Sequence, residues 1–190
     1  MNVTGPIHFY NRYTGHLETE AVYGDGFLKW AYGNPLGRVS VDLFVKRAFF
    51  SHFYGWWMDR PSTVAKVKPF GESFGLDAQE FSKKMDEFTS FNDFFSRELK
   101  PEARPIADDR DALVFPADGR HLGFQDLSKV QHVFVKGQSF DLEALLGNAD
   151  LANRYRNGSA VLSRLCPTDY HRFHFSVQGK AGQTQRINGD

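Results

Sequence analysis

Lys100-Pro101-Glu102-Ala103-Arg104-Pro105 is the stretch at which this chain changes character. Its two prolines remove backbone donors and bias the residues before them away from the helical region, so the segment is predicted to run extended, as a seam between two halves. On the N-terminal side, apolar residues recur at helical spacing across residues 27–60. Leu36, Val39, Leu43 and Phe50 fall on one side, while Arg38, Asp42 and Lys46 lean to the other. Two or three short helices are expected there, divided at Asn34-Pro35 and punctuated by Gly55 and Pro61. A further helix is predicted from Ala78 to about Phe88 with Asp77 as its N-cap, and a short one from Phe91 to Leu99. On the C-terminal side the pattern shortens. Ala112–Phe115, His132–Lys136, Ala160–Leu165 and Arg172–Val177 are apolar runs bounded by Gly, Pro, Asn or Asp, as strands are. One helix interrupts them, Leu142 to Leu146, between a capping Asp141 and a terminating Gly147. The expected fold class is therefore α+β: a helical N-terminal region (1–99) followed by a strand-rich, barrel- or sandwich-like body (100–190).

The 190 residues hold 23 Lys+Arg against 23 Asp+Glu, so no whole-molecule field draws in nucleic acid, and a hydrophobic content of 41% excludes the disordered class. Cys166 is the single cysteine, which rules out an internal disulfide framework or a cysteine-based zinc site and fits a reducing compartment. The opening MNVTGPIHFYNRYTG has neither a basic start nor an apolar run, and no stretch approaches the ~20 apolar residues of a membrane span. Secretion and membrane spanning are not expected. Aromatic residues are unevenly placed: nine of them, including every Trp, lie between Leu28 and Arg60, where the formal charge is +3. Two readings stand for this segment. Its rings form the core of helices, or they dock at a membrane interface, where Trp and Tyr favour the headgroup level and basic residues are drawn to anionic lipid.

Three short segments concentrate groups that could do chemistry. Phe115-Pro116-Ala117-Asp118-Gly119-Arg120 puts a carboxylate beside a turn glycine, and a turn Asp bonding its own backbone is the plain reading. In Val135-Lys136-Gly137-Gln138-Ser139-Phe140, the Lys reads as a solvated strand-end charge. The third segment, Arg164 to His174, sets His171 and His174 three residues apart around Arg172. On a strand the two imidazoles would face opposite ways; on a helix they would share a face. Two His without a nearby third ligand fall short of a metal set. Imidazole can instead move protons near neutral pH when a carboxylate orients one ring and a hydroxyl lies on its other side, and Asp118 is a candidate orienter.

These residues carry a resemblance. Phe91-Asn92-Asp93-Phe94-Phe95-Ser96-Arg97-Glu98-Leu99-Lys100-Pro101 with Arg104-Pro105, then Pro116-Ala117-Asp118-Gly119, Lys136-Gly137-Gln138 with Leu145-Leu146-Gly147, and Asp169-Tyr170-His171-Arg172-Phe173-His174, resemble the phosphatidylserine decarboxylase family in the family's order. Tyr10-Asn11-Arg12 and Asn34-Pro35-Leu36-Gly37 resemble the front of some bacterial members. The resemblance implies a precursor that cuts itself at a Gly-Ser bond in a Leu-Gly-Ser-Thr-like motif, the serine becoming a pyruvoyl cofactor. It further implies that Asp118 orients His174, the base for that cleavage, and that His171 serves the later decarboxylation of phosphatidylserine to phosphatidylethanolamine.

Implied partners are phosphatidylserine, an anionic membrane surface, the C-terminal α chain of the processed precursor and a second copy in a homodimer. The implied location is the cytoplasmic side of the cell membrane, peripherally bound. No Leu-Gly-Ser-Thr motif occurs in the sequence. Its single Gly-Ser, Gly158-Ser159, precedes the histidine segment and reads as a turn. The expectation is thus the front part of a precursor, inactive alone, whose pyruvoyl-forming serine lies beyond residue 190. Rival readings are a catalytically inert lipid-binding module and, last, a metal hydrolase built on His171, His174 and Asp118.

Overall fold

The fold comes from a computed structural model that describes residues 6, 8–20, 26, 30, 34–40, 47–130, 133–135 and 138–187. Contacts group them into two compact units, one of residues 2–119 with 165–176 and one of residues 120–164 with 177–190.

The first unit begins with a hairpin of β1 (His8–Asn11) and β2 (His16–Thr19), in register from His8↔Thr19 to Asn11↔His16. Its turn closes on Gly15 at φ +72°, which returns its N–H to the Asn11 carbonyl at 2.8 Å. Helix α1 (Pro35–Ser40) starts where Asn34-Pro35 predicts, with Asn34 Oδ1 accepting the Gly37 N–H at 2.7 Å. Helix α2 (Ala48–Met58) carries most of the aromatic residues of the front that are described, with Arg47 just before it and Arg60 just after; Lys46 and the rest of 41–46 lie outside the described residues. A 3₁₀ turn (Pro61–Lys66) leads into α3 (Val67–Ser73), and α4 (Phe91–Phe95) is capped by Ser90.

The core of this unit is built from phenylalanine. Met58, Val67, Phe70, Phe81, Phe88, Phe91 and Phe94 are buried together. Fully enclosed Phe94 meets Phe70, Phe81 and Phe88 edge to face, at centroid distances of 5.8, 6.1 and 5.3 Å. Buried Thr63 ties the elements: its hydroxyl donates toward the carbonyls of Arg60 and Met58 and accepts the Phe91 N–H at 2.9 Å. The α2 aromatics stay outside this core, with Trp56 55% and Trp57 45% exposed.

Three local expectations are corrected. Asp77 does cap, accepting the Gln79 N–H, but only for a 3₁₀ turn (Ala78–Glu80). The helix predicted to Phe88 gives way because Phe81 pairs with Leu99 in an antiparallel bridge, flanked by Ser82 N–H to Glu98 O (3.0 Å) and Lys100 N–H to Glu80 O (2.8 Å). That pairing also stops α4 short of Leu99. The extended seam at 100–105 instead contains a 3₁₀ turn (Pro101–Ala103), since Pro suits a first helical position.

In the second unit, β3 (Arg120–Phe124) pairs with β6 (Ala160–Arg164), centred on Leu122↔Leu162, and β4 (Val133–Val135) pairs with β5 (Gln138–Phe140). Helices α5 (Leu142–Leu146) and α6 (Ala149–Tyr155) follow. Asp141 Oδ1 accepts the Ala144 N–H and Gly147 ends α5 at φ +59°, as the residue types predict.

Mixed α+β stands, but a closed barrel does not. The described strands form three separate two-stranded antiparallel sheets rather than a closed barrel, because each strand finds a single partner among the described residues. The runs Ala112–Phe115 and Arg172–Val177, predicted as strands, lie alongside each other through Val114 N–H to Ser176 O (3.2 Å) and His174 N–H to Pro116 O (2.6 Å) without forming a regular ladder.

Candidate active site

The histidine segment is held from three directions. Residues 166–169 form a self-laced turn, in which the Asp169 N–H donates to the Cys166 carbonyl (2.9 Å) and the Asp169 carboxylate accepts the Cys166 N–H (2.6 Å). The Cys166 thiol, buried, donates to the Glu20 carboxylate. Arg97 reaches the same turn from the chain just after α4, its Nη2 donating to the carbonyls of Thr168 (3.2 Å) and Asp169 (3.3 Å). Arg172 returns the connection, its Nε donating to Ser96 O (2.9 Å) and its Nη1 pairing with Glu98 (3.0 Å).

Arg97 is an unusual support. It is 5% exposed, and its guanidinium lies over the Phe81 and Phe94 rings at 5.1 and 5.2 Å. Nε and Nη1 find no hydrogen-bond partner among the described residues, so ring faces stand where oxygens usually would. Burial, and then the charge of Arg104, push its pKa down from the usual arginine value.

The two imidazoles occupy different environments. His171 is partly buried, stacked on Phe95 with centroids 4.0 Å apart, and its Nε2 donates to the Cys166 carbonyl at 2.9 Å. Because a carbonyl can only accept, this contact places the proton of a neutral ring on Nε2. Burial lowers the His171 pKa, against the opposing pull of that carbonyl and of Asp169. His174 is exposed, its ring 5.7 Å from that of Tyr170 and its backbone tied to Pro116. The tie places the histidine segment beside Pro116-Ala117-Asp118-Gly119.

Asp118 is brought into this neighbourhood but not onto an imidazole: no hydrogen bond joins it to His171 or His174. Its carboxylate is taken by Arg104, whose Nε donates to Oδ1 (3.0 Å) and Oδ2 (2.8 Å) and whose Nη2 lies 2.8 Å from Oδ2. Arg104 also reaches Glu80 Oε1 at 3.0 Å, and the two carboxylates, Asp118 foremost, raise its pKa above the usual arginine value. Arg104 and Arg97 were not singled out from sequence as site residues. The available signal was a lone arginine following the apolar run Phe94-Phe95, and one between Ala103 and Pro105. Lys136 and Gly137 lie outside the described residues. Among the described residues, no group of three or more His, Cys, Asp or Glu is arranged to hold a metal ion.

The family model for phosphatidylserine decarboxylase matches residues 91–190, the stretch that holds all of these groups except Glu20, Glu80 and Phe81. Among curated proteins, the chain is similar to the phosphatidylserine decarboxylase proenzyme of Fusobacterium nucleatum, 42% identical over 183 residues, covering 96% of this chain and 61% of that protein. The proenzymes of Clostridium beijerinckii and Desulfitobacterium hafniense are each 40% identical over 183 residues, with 62% and 61% of their lengths covered. The chain thus spans about three-fifths of the length of the curated relatives it matches.

Proposed function

The chain belongs to the phosphatidylserine decarboxylase family, and we propose that it forms the front portion of a self-processing precursor that converts phosphatidylserine to phosphatidylethanolamine and CO2. The observation that carries this reading is the meeting of segments distant in sequence: 96–98 with 168–172 through Arg97 and Arg172, and 116 with 174 through one backbone hydrogen bond. Asp118, His171 and His174 thereby share one unit.

In this proposal His174 takes the proton from a serine hydroxyl in a C-terminal segment, and Asp118 orients the imidazole and offsets its charge when it is protonated. That serine hydroxyl attacks the carbonyl carbon of the residue before it, and the peptide nitrogen departs with a proton. A pyruvoyl group made from that serine supplies the electron sink for loss of CO2. The residues present suit it: His174 is exposed to an incoming hydroxyl, and His171 is a partly buried imidazole able to pass a proton. His171 would return a proton to the substrate carbon after CO2 leaves.

The front region, 1–99, is proposed to dock peripherally on the cytoplasmic face of an anionic membrane. Supporting this, the α2 rings are exposed, Arg60 lies 3.9 Å over the Trp56 ring, and Lys66 lies 5.1 Å from that of Trp57. Among the described residues no helix is long and apolar enough to cross a membrane.

The test is a precursor of the relatives' length containing these residues, incubated with phosphatidylserine vesicles. Two chains on a denaturing gel, a new N-terminus refractory to Edman chemistry, and phosphatidylethanolamine in the lipid extract are expected. A precursor that stays folded and uncleaved would overturn the reading.

A further inference from the structure

We propose that Arg104 is a positioning residue for Asp118, setting the plane that carboxylate would offer to His174 during cleavage; this rests on the function proposed above. Asp118 lies in a bend between Pro116 and Gly119, whose φ is +134°, and no regular ladder holds it. A carboxylate there would turn freely about its side-chain bonds. Arg104 removes that freedom, because Nε spans both oxygens at 3.0 and 2.8 Å while Nη2 adds a contact of 2.8 Å to Oδ2.

The far side of the same guanidinium is anchored independently. Nη1 donates to Glu80 Oε1 (3.0 Å) and to the Ala103 carbonyl (2.6 Å). Glu80 sits in the 3₁₀ turn capped by Asp77, and its carbonyl receives the Lys100 N–H at 2.8 Å. The order of dependence therefore runs from the turn at 78–80, through the Arg104 plane, to the Asp118 plane. The ion pair is partly exposed on both sides, 41% and 27%, so screening limits its energy, and geometry is its contribution. A carboxylate offers about four acceptor positions, so the fork leaves room for an imidazole N–H. Lysine, a point charge, could neutralise Asp118 without fixing its plane.

The experiment measures self-cleavage in a precursor of the relatives' length. Arg104→Ala is expected to slow cleavage by about 10²-fold, the order seen when a reacting group is misplaced. Its melting midpoint should stay close to the parent's. Arg104→Lys should remain slow, and free guanidinium ion at non-denaturing concentration should restore part of the Arg104→Ala rate, which a purely structural defect would not permit. Cleavage of Arg104→Ala at the parent rate overturns the inference. If Arg104→Ala does not fold, Arg104→Lys decides, and parent-rate cleavage in that variant overturns it equally. Asp118→Asn separates the two levels. Normal cleavage in that variant defeats the function assigned to Asp118, whereas a stalled Asp118→Asn beside a normal Arg104→Ala defeats only the role of Arg104.

Discussion

His171 lies face to face with Phe95, ring centroids 4.0 Å apart and planes inclined by 22°, so a residue of the histidine segment is seated on the last residue of α4. The contact buries one imidazole while His174, three residues on, stays exposed. What His171 rests on thus sets its proton affinity, which burial lowers.

The first consequence concerns pH. Burial lowers the His171 pKa below the ordinary histidine value of about 6.5, so the neutral ring is favoured in the folded state. The unfolded chain then binds more protons than the folded one, and stability rises with pH through this window. The contribution is complete above about pH 6.5 and is lost as pH falls through the lower folded value. Replacing His171 by Phe keeps a ring against Phe95 and removes the titration. Melting midpoints measured between about pH 5 and 7 should fall less steeply toward acid in that variant than in the parent, and equal slopes would refute the assignment.

The chain taken alone is expected neither to cleave itself nor to release CO2 from phosphatidylserine. Its single Gly-Ser pair is engaged in local structure: Gly158 N–H donates to the Tyr155 carbonyl at 2.9 Å and Ser159 Oγ to the Gln125 carbonyl at 2.7 Å. A hydroxyl already donating to a backbone oxygen, at the entry to β6, is poorly placed to act as a nucleophile. Intact-mass measurement after long incubation checks this, and a fragment ending at Gly158 would show the cleavage site to be misplaced.

Membrane docking through α2 predicts a loss that salt reproduces. Replacing Trp56 and Trp57 by Ala, and Arg47 and Arg60 by Gln, should weaken binding to anionic vesicles by about tenfold or more, at ~1 kcal/mol for each basic residue near the surface. Raising ionic strength should weaken the parent in the same direction. Sedimentation with vesicles measures both. Unchanged binding accompanied by a lower melting temperature would assign these rings to packing instead.

Local grammar was legible in this sequence, and long-range exchange was not. Asp77 and Asp141 cap where their types predict, α1 begins at the Asn34-Pro35 break, and Gly147 stops α5, because such signals are decided within three or four residues. The helix expected beyond Glu80 failed because the Phe81–Leu99 bridge competes from eighteen positions away. Within the site, Asp118, His171 and His174 could be singled out because each lies in a short motif of consecutive residues. The groups that hold them could not: Arg97 meets Asp169 across 72 positions and Arg104 meets Asp118 across 14. Nothing in the spacing announces such a partner until the chain is folded.

The last prediction divides labour between the two histidines in a precursor of the relatives' length. His174→Ala and Asp118→Asn should each stop maturation, because either change leaves the serine hydroxyl without an oriented base, and loss of such a partner typically removes about 10⁴ in rate. His171→Ala should permit chain cleavage yet depress turnover, because its proposed proton transfer begins only after the precursor has matured. Loss of the Phe95 stack and of the hydrogen bond to the Cys166 carbonyl could also loosen the segment, so each variant needs a melting curve beside its gel and lipid analysis. His171→Asn supplies the control, retaining a polar side chain without imidazole chemistry. If all the variants lose maturation together with their melting transitions, the three residues serve the fold rather than the chemistry. A well-folded His171 variant that stays uncleaved would refute the division, and a His174 variant that matures at the parent rate would remove that residue from the cleavage step.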